Sequence, residues 1–121
     1  MSTERILILV KPDGVRRNLV GEVLRRIEAK GYTLENIAWK NATEELLAQH
    51  YNELVDKPFY PDIVSYMTSG PIVAAVFNGA QIVKGVRNLA GATDPTSAAP
   101  GTIRGDLARD WGDGNVENIV H

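Results

Sequence analysis

The sequence predicts an α+β fold in which helices pack on an antiparallel sheet of four strands. Four short apolar segments suit strands, and the segments between them carry apolar residues at helical spacing. The chain has 121 residues, of which 44% are hydrophobic, so it has the size of one domain with a substantial core. We therefore expect residues 1–121 to form a single domain.

The first strand and the first helix have clear signals. Ile6–Val10 is a continuous apolar run that fits a strand buried on both faces, and the turn-forming residues Pro12–Gly14 end it. Asn18 is a suitable N-cap for the helical spacing that follows, and Gly31 lies where that helix should end.

The middle of the chain predicts a second strand and two helices. Tyr32–Lys40 alternates weakly between apolar and polar residues, which favours a strand. Thr43 can cap the next helix, and a shorter helix is expected from about Asp62 to Thr68, closed by Gly70. The first of these helices is predicted to present one apolar face, formed by Leu47, Tyr51, Leu54 and Val55.

The last part of the chain combines two strands with a long irregular segment. Pro71–Phe77 predicts a third strand stopped by an Asn-Gly pair, and helical spacing then resumes and ends at Gly91, which argues against a tight hairpin. Residues 92–115 hold several glycines and prolines without an apolar period, which predicts a long functional loop. Asn118–His121 begins a fourth strand. This order suits a ferredoxin-like, split βαβ arrangement.

Composition excludes several classes of protein. The formal net charge is -2, with 13 basic and 15 acidic side chains, which argues against a broad surface for nucleic acid. There are no cysteines, so disulfides and thiolate metal sites are excluded. No stretch approaches the ~20 apolar residues of a membrane span, and no signal peptide is evident. We therefore expect a cytoplasmic protein without membrane or sequence-specific nucleic-acid partners.

Three segments carry side chains that could do chemistry. Lys11 follows the first strand, Arg104 lies between two glycines of the long loop, and His121 follows the last apolar residues. Taken alone, each has an ordinary explanation: a solvated lysine, an ordinary loop, and a core or terminal histidine. Their combination is more specific than any one of them.

Together these segments resemble nucleoside diphosphate kinases. The resemblance runs from Arg5 to His121, in the order and nearly the spacing of that family. It is carried by K-P-D-G-V at residues 11–15, S-G-P at 69–71, G-T-I-R-G-D at 101–106 and N-x-x-H at 118–121, with agreement at residues 50–51, 57–59 and 91–95.

The resemblance implies a role for each matching residue. His121 matches the nucleophile that takes the γ-phosphate, and Asn118 matches the contact to the ribose, which Lys11 shares. Phe59 matches the aromatic ring on which the base stacks, with Ile63 beside it. The groups that hold the phosphates are matched by Lys11, Arg87, Thr93 and Arg104.

Two further residues match side chains near the nucleophile. Tyr51 matches the phenol packed next to the histidine, and Glu53 matches a carboxylate that helps to orient it. The resemblance also implies Mg²⁺ bound mainly through the nucleotide phosphates, with no protein side chain as a ligand. It further implies a homo-oligomer, for which we favour a hexamer over a tetramer.

Elementary chemistry supports these assignments. A neutral imidazole is a competent nucleophile near pH 7, and phosphoryl transfer needs mainly positioning and charge stabilisation. Guanidinium groups suit phosphate geometry. Stacking on an aromatic ring contributes roughly 1–3 kcal/mol whatever the base, which predicts broad nucleotide specificity. Neither a Walker P-loop nor a G-x-G-x-x-G motif is present, so phosphates must be held in another way, and the scattered cations offer one.

The chain departs from the family pattern in two places. The family continues after the histidine with Gly-Ser-Asp and about one further helix, so we expect that this chain lacks the C-terminal segment. The stretch Ala108–Glu117 is a few residues longer than usual and rich in acidic side chains. Because it does not meet the EF-hand pattern, we interpret it as a solvated acidic loop rather than a Ca²⁺ site.

Two other functions remain open at the level of sequence. A ferredoxin-like sheet is also the scaffold of RNA-recognition domains, but those carry aromatic residues on their central strands, whereas Ile6–Val10 is aliphatic. A regulatory, non-catalytic homologue would lack the histidine or a phosphate-binding arginine, and both are present here.

Overall fold

The computed structural model describes residues 3–110, 116–117 and 119–120 of the chain. Eleven helices and strands are defined among them. They are β1 (Thr3–Val10), α1 (Pro12–Arg16), α2 (Val20–Ala29), β2 (Thr33–Asn41), α3 (Glu44–His50), α4 (Tyr60–Met67), β3 (Pro71–Ala80), α5 (Ile82–Ala90), α6 (Ile103–Leu107), β4 (Arg109–Asp110) and β5 (Val116–Glu117).

The main sheet is antiparallel, with β3 in the centre and the order β1-β3-β2. On one side, β1 pairs from Thr3 opposite Ala80 to Val10 opposite Val73. On the other side, β2 pairs with β3 from Thr33 opposite Asn78 onward, and its register shifts once between residues 34 and 36. The short strands β4 and β5 form a separate two-stranded ribbon.

The predicted fourth strand is not present as a strand among the described residues. Val120 pairs with Val10 in an isolated antiparallel bridge, so this segment runs along the outer edge of β1. Asn118 and His121 lie outside the described residues. The sheet that can be described therefore has three strands, where the sequence predicted four.

Helices pack on both faces of the sheet because alternate strand residues point to opposite sides. Ile8 and Val10 belong to the larger core cluster, which includes residues of α2 and α5. Leu9 belongs to the smaller cluster, which includes residues of α3 and α4. The prediction that Ile6–Val10 is buried on both faces was wrong for its first half, since Leu7 is 46% exposed at this sheet edge.

Two predicted turns were wrong. Pro12–Gly14 begins α1 instead of forming a turn, with proline at the first helical position, where its missing N–H costs nothing. The pair Asn78-Gly79 lies inside β3, because pairing with β1 carries the strand on to Ala80. The turn comes at Gln81, whose φ is 55°.

Helix boundaries also differ in part from the prediction. Asn18 is not an N-cap: its φ is 60°, and Leu19 takes the cap position of α2. Thr43 does cap α3, since its hydroxyl accepts the Leu46 N–H at 3.1 Å. That helix ends at His50, so the predicted apolar face extends beyond it, and Val55 is exposed.

The long segment before the last predicted strand is not an unstructured loop. It contains α6, and the hydroxyl of Thr102 caps this helix by accepting the Gly105 N–H at 2.9 Å. The acidic stretch predicted to be a solvated loop begins with β4, and residues 111–115 lie outside the description. Within the described part of the chain, no helix has the length and apolar content needed to cross a membrane.

Candidate active site

The site begins where β1 passes into α1. Lys11 occupies the N-cap position of α1, and its backbone N–H donates to the carbonyl of Ile119 at 2.6 Å. Its ammonium lies 5.8 Å from the centre of the Tyr66 ring. Burial and then the positive charge of Arg104 lower the pKa of Lys11 to about 8, while the negative charge of Asp13 acts in the opposite direction.

Asp13 is a buried carboxylate, only 1% exposed, and both of its oxygens are used. Oδ2 accepts the backbone N–H of Ile119 at 3.0 Å, and Oδ1 accepts the hydroxyl of Tyr66, which comes from α4. A buried carboxylate is tolerated when it is hydrogen-bonded and charge-compensated. Asp13 therefore joins three parts of the chain that are distant in sequence.

Ile119 has an unusual backbone conformation. Its φ is 70°, in the left-handed region that β-branched residues rarely adopt, and its side chain is completely buried. Gly14 makes room for it, since a Cβ added to Gly14 would lie 2.9 Å from Ile119 Cγ2 and 2.9 Å from Val10 Cγ1. A glycine is therefore required beside this residue.

Arg104 is held in place by two backbone carbonyls. Its Nη1 donates to the carbonyl of Gly91 and its Nη2 to the carbonyl of Val120, both at 2.9 Å. Its Nε is buried and has no hydrogen-bond partner among the described residues. Burial lowers the pKa of Arg104, yet a guanidinium remains protonated at neutral pH.

An ion-pair network stabilises the position of α6, the helix that carries Arg104. Arg26 of α2 donates to Asp106 at 2.8 Å and also contacts Glu22 at 3.0 Å. The Gly101 N–H, followed by Arg26, lowers the pKa of Asp106. These contacts join α6 to α2. The helix that carries Arg104 is therefore held by contacts other than those that Arg104 makes with Gly91 and Val120.

Three of the predicted phosphate-binding residues line one cavity. It has a volume of about 500 Å³ and lies between β1, α5 and the segment that follows α5. Its polar lining is formed by Arg87, Thr93 and Arg104, and Val120 is one of its apolar lining residues. Lys11 does not line this cavity, although its ammonium is close enough to Arg104 for their charges to interact.

The predicted base-binding residues lie on a different element. Phe59 precedes α4 and is 49% exposed, and Ile63 follows one turn later, partly buried in the smaller core cluster. Neither lines the 500 Å³ cavity. Tyr51 is buried, and burial, followed by the nearby Tyr60, raises the pKa of its phenol. Glu53 is exposed on the connection between α3 and α4.

Two of the predicted site residues, Asn118 and His121, lie outside the described residues. Ile119 and Val120, which lie between them in sequence, are described. Asp13 and Gly14 contact Ile119, and Arg104 contacts Val120.

Sequence reasoning missed Asp13 and Tyr66 as members of the site. Asp13 was assigned only to a turn, and Tyr66 received no role. The available signal was a lone acidic residue directly between an apolar strand and a following Gly-Val pair, but its burial depends on contacts with residues 66 and 119.

Comparison with known proteins gives a consistent result. Residues 4–121 match the family model described as nucleoside diphosphate kinase. The chain is 51% identical over 121 residues to the nucleoside diphosphate kinase of Eremothecium gossypii, covering all of this chain and 78% of that protein. It is 48% identical to the nucleoside diphosphate kinase of a Streptococcus pneumoniae strain, covering 98% of this chain and 88% of that protein.

Solved structures agree in fold. A nucleoside diphosphate kinase from Halobacterium salinarum in complex with CDP has a TM-score of 0.91 at 46% identity, covering 99% of this chain and 76% of that one. The enzyme from Borrelia burgdorferi, solved as a transition-state mimic with vanadate and ADP, has a TM-score of 0.90 at 31% identity, covering 98% and 77%.

The lowered pKa of Lys11 predicts a pH-dependent affinity for phosphate ligands. The ammonium is charged below about pH 8 and loses its charge as the pH rises through that value. Affinity for ADP is expected to fall by up to about tenfold between pH 7 and pH 9, since one pKa unit corresponds to a factor of ten. A titration calorimeter would measure this directly.

Lys11→Arg is the matched control for that titration, because a guanidinium stays protonated across this range. Its affinity for ADP should change much less with pH. The same decline in both proteins would show that Lys11 is not the group responsible.

Proposed function

The chain belongs to the nucleoside diphosphate kinase family of phosphotransferases, and we propose that it moves the γ-phosphate of a nucleoside triphosphate to a nucleoside diphosphate through a phosphohistidine at His121. One observation carries this proposal beyond family membership. Arg104 lines the 500 Å³ cavity and donates to the carbonyl of Val120, the residue directly before His121. Arg104 thereby fixes the backbone carbonyl of the residue that directly precedes the proposed nucleophile.

The proposed reaction has two symmetrical halves. A ring nitrogen of His121 attacks the γ-phosphorus, the bond from that phosphorus to the bridging oxygen breaks, and the diphosphate leaves with the electron pair. A second nucleoside diphosphate then attacks the phosphohistidine through its terminal oxygen, and the P–N bond breaks. The protein mainly positions the groups and stabilises their charge.

The cationic set would supply that stabilisation. Arg87, Thr93 and Arg104 line the cavity, and the buried Nε of Arg104 is a donor without a partner among the described residues. Because unsatisfied buried donors are costly, such a group suits a ligand oxygen. Lys11 adds a partly desolvated ammonium that would contact the phosphates and, with Asn118, the ribose.

The base would stack on Phe59, whose ring is half exposed before α4, with Ile63 on the next helical turn. Stacking discriminates poorly among bases, so we propose broad nucleotide specificity. Tyr51 and Glu53 would support the histidine from the α3–α4 region. CDP and ADP in the related structures fit this assignment.

We also propose that the nucleotide arrives with Mg²⁺. Among the described residues, no group of three His, Cys, Asp or Glu side chains could hold a metal ion, and the oxygens of Asp13 are already engaged. This donor set fits an ion bound through the phosphates. When bound, Mg²⁺ would neutralise phosphate charge.

A homo-oligomer is the last part of the proposal, with a hexamer as the specific expectation. The edge strand β2 leaves Ile37 46% and Trp39 65% exposed, opposite Ala75 and Val73 of β3. An edge strand with exposed apolar side chains favours pairing with another copy. The single domain and the cytoplasmic location stay predictions.

Transfer of labelled phosphate tests the central step. The protein is incubated with γ-labelled ATP and Mg²⁺, treated with acid or alkali, and then given a nucleoside diphosphate. The label is expected to be acid-labile, alkali-stable and transferable, and His121→Ala should abolish it. His50→Ala is the matched control, since it removes the other histidine of the chain. Label that persists in His121→Ala, or is lost only in His50→Ala, would contradict the proposal.

Removing the stacking ring should weaken every nucleotide alike. Phe59→Ala is expected to weaken the binding of purine and pyrimidine diphosphates by roughly 1–3 kcal/mol. This loss should appear as a higher KM for each of them. Phe59→Tyr should restore the wild-type values because it keeps the ring. Steady-state kinetics with four nucleoside diphosphates provide the measurement, and an effect confined to one base would argue against stacking.

Charging the exposed edge should weaken assembly. Trp39→Lys places a cation on β2 and is expected to shift the protein toward smaller species in sedimentation velocity. Leu46→Lys, at another exposed apolar position, serves as the control and should sediment like wild type. Identical sedimentation of all three proteins would exclude β2 as the contact surface.

A further inference from the structure

We infer that Asp13 is a positioning residue of this active site, because its buried carboxylate fixes the backbone that leads into His121. The inference rests on the proposed function of His121 as the nucleophile. It gives a role to Asp13, which takes no part in the proposed phosphoryl transfer.

Ile119 requires a structural explanation. A β-branched residue with a φ of 70° carries backbone strain, and such strain persists only where the surroundings over-determine the conformation. His121 follows two residues later, so a rotation at Ile119 would displace it by several ångströms. Whatever holds Ile119 therefore determines where the proposed nucleophile lies.

Among the described residues, two hydrogen bonds to the backbone of Ile119 and one close approach to its side chain come from residues 11–14. The Lys11 N–H donates to its carbonyl at 2.6 Å, the Asp13 carboxylate accepts its N–H at 3.0 Å, and Gly14 leaves space for its side chain. The Lys11 contact is backbone to backbone, and Gly14 contributes the space left by its missing Cβ. Asp13 supplies the one side-chain hydrogen bond of the three.

Asp13 is itself held firmly. Its second oxygen accepts the hydroxyl of Tyr66 from α4, and its position in the first turn of α1 favours a negative charge there. The carboxylate is almost completely buried, so its hydrogen bonds face little competition from water. It thus connects α4 and α1 to the segment that precedes His121.

This geometry assigns positioning rather than proton transfer to Asp13. One oxygen is occupied by a backbone amide and the other by a phenol, so neither is directed at a reacting atom. A displacement of about 1 Å at a reacting group can cost about 100-fold in rate. The step expected to suffer is phosphorylation of His121, whereas Arg87, Thr93 and Phe59 would still bind the nucleotide.

The test compares three substitutions at this contact. Asp13→Ala removes both hydrogen bonds, Tyr66→Phe removes one, and Asp13→Asn can keep both, because its carbonyl can accept from Ile119 and its amide can donate to the phenol oxygen. Each purified protein is first checked for folding by circular dichroism and thermal unfolding. Single-turnover phosphorylation by γ-labelled ATP and the steady-state KM are then measured.

Asp13→Ala is expected to slow phosphorylation by about 100-fold with KM changed by less than about threefold. Tyr66→Phe should slow it by about fivefold, as expected for one lost hydrogen bond. Asp13→Asn should recover most of the phosphorylation rate that Asp13→Ala loses, and its rate should remain within about tenfold of wild type. Rescue by Asn with an unchanged KM separates positioning from general destabilisation.

Glu35→Gln is the matched control. Glu35 is a carboxylate with two partners, Arg5 and Asn78, at the opposite end of β1 from Lys11, and its substitution should leave the phosphorylation rate unchanged.

Wild-type rates in folded Asp13→Ala, or a rise in KM without loss of rate, would overturn the inference. If Asp13→Ala does not fold, a wild-type phosphorylation rate in Tyr66→Phe, which loses one of the two hydrogen bonds of Asp13, would overturn it. Failure of the proposed function looks different: wild type itself would take no label, which removes the basis of both.

Discussion

The close fit between the end of β1 and the segment around Ile119 is the constraint on which the site depends. Val10 pairs with Val120, and the Lys11 N–H binds the Ile119 carbonyl, so a backbone segment remote in sequence lies against the strand from which the lysine emerges. This approach is possible because Gly14 has no Cβ. A buried carboxylate and a residue with positive φ are tolerated here because each satisfies the other.

The same proximity explains the electrostatics of the site. Lys11 and Arg104 are both partly desolvated, which lowers the pKa of each, and the positive charge of Arg104 lowers the pKa of Lys11 further. Stability alone would not favour two partly buried cations close to each other. The proposed phosphate ligand would offset this repulsion with its negative charge, and perturbed cations of this kind are common at functional sites. Asp13 compensates only part of it.

Much of the fold could be predicted from local patterns, and the errors have a common cause. The predicted boundaries at Gly31, Thr43 and Gly91 were confirmed because helix caps and terminal glycines act within a few residues. Asn78-Gly79 was misjudged because pairing with β1 overrides a turn preference, which only tertiary structure reveals. For α6, the Thr102 cap was readable in the sequence but was hidden among prolines and glycines.

The site shows the same division between local and long-range information. The cavity unites Arg87, Thr93 and Arg104, to which the resemblance had already given one shared role as phosphate-binding residues. Asp13 could not be assigned in that way, because its partners are 53 and 106 residues distant and one of them is a backbone amide, which leaves no mark on sequence. Groups that contact a ligand can be inferred from the residue types in the sequence. Groups that position the backbone can be identified only from contacts in the folded structure. The resemblance therefore supplied the proposed ligand contacts, and the structure adds the contacts that hold the neighbouring backbone.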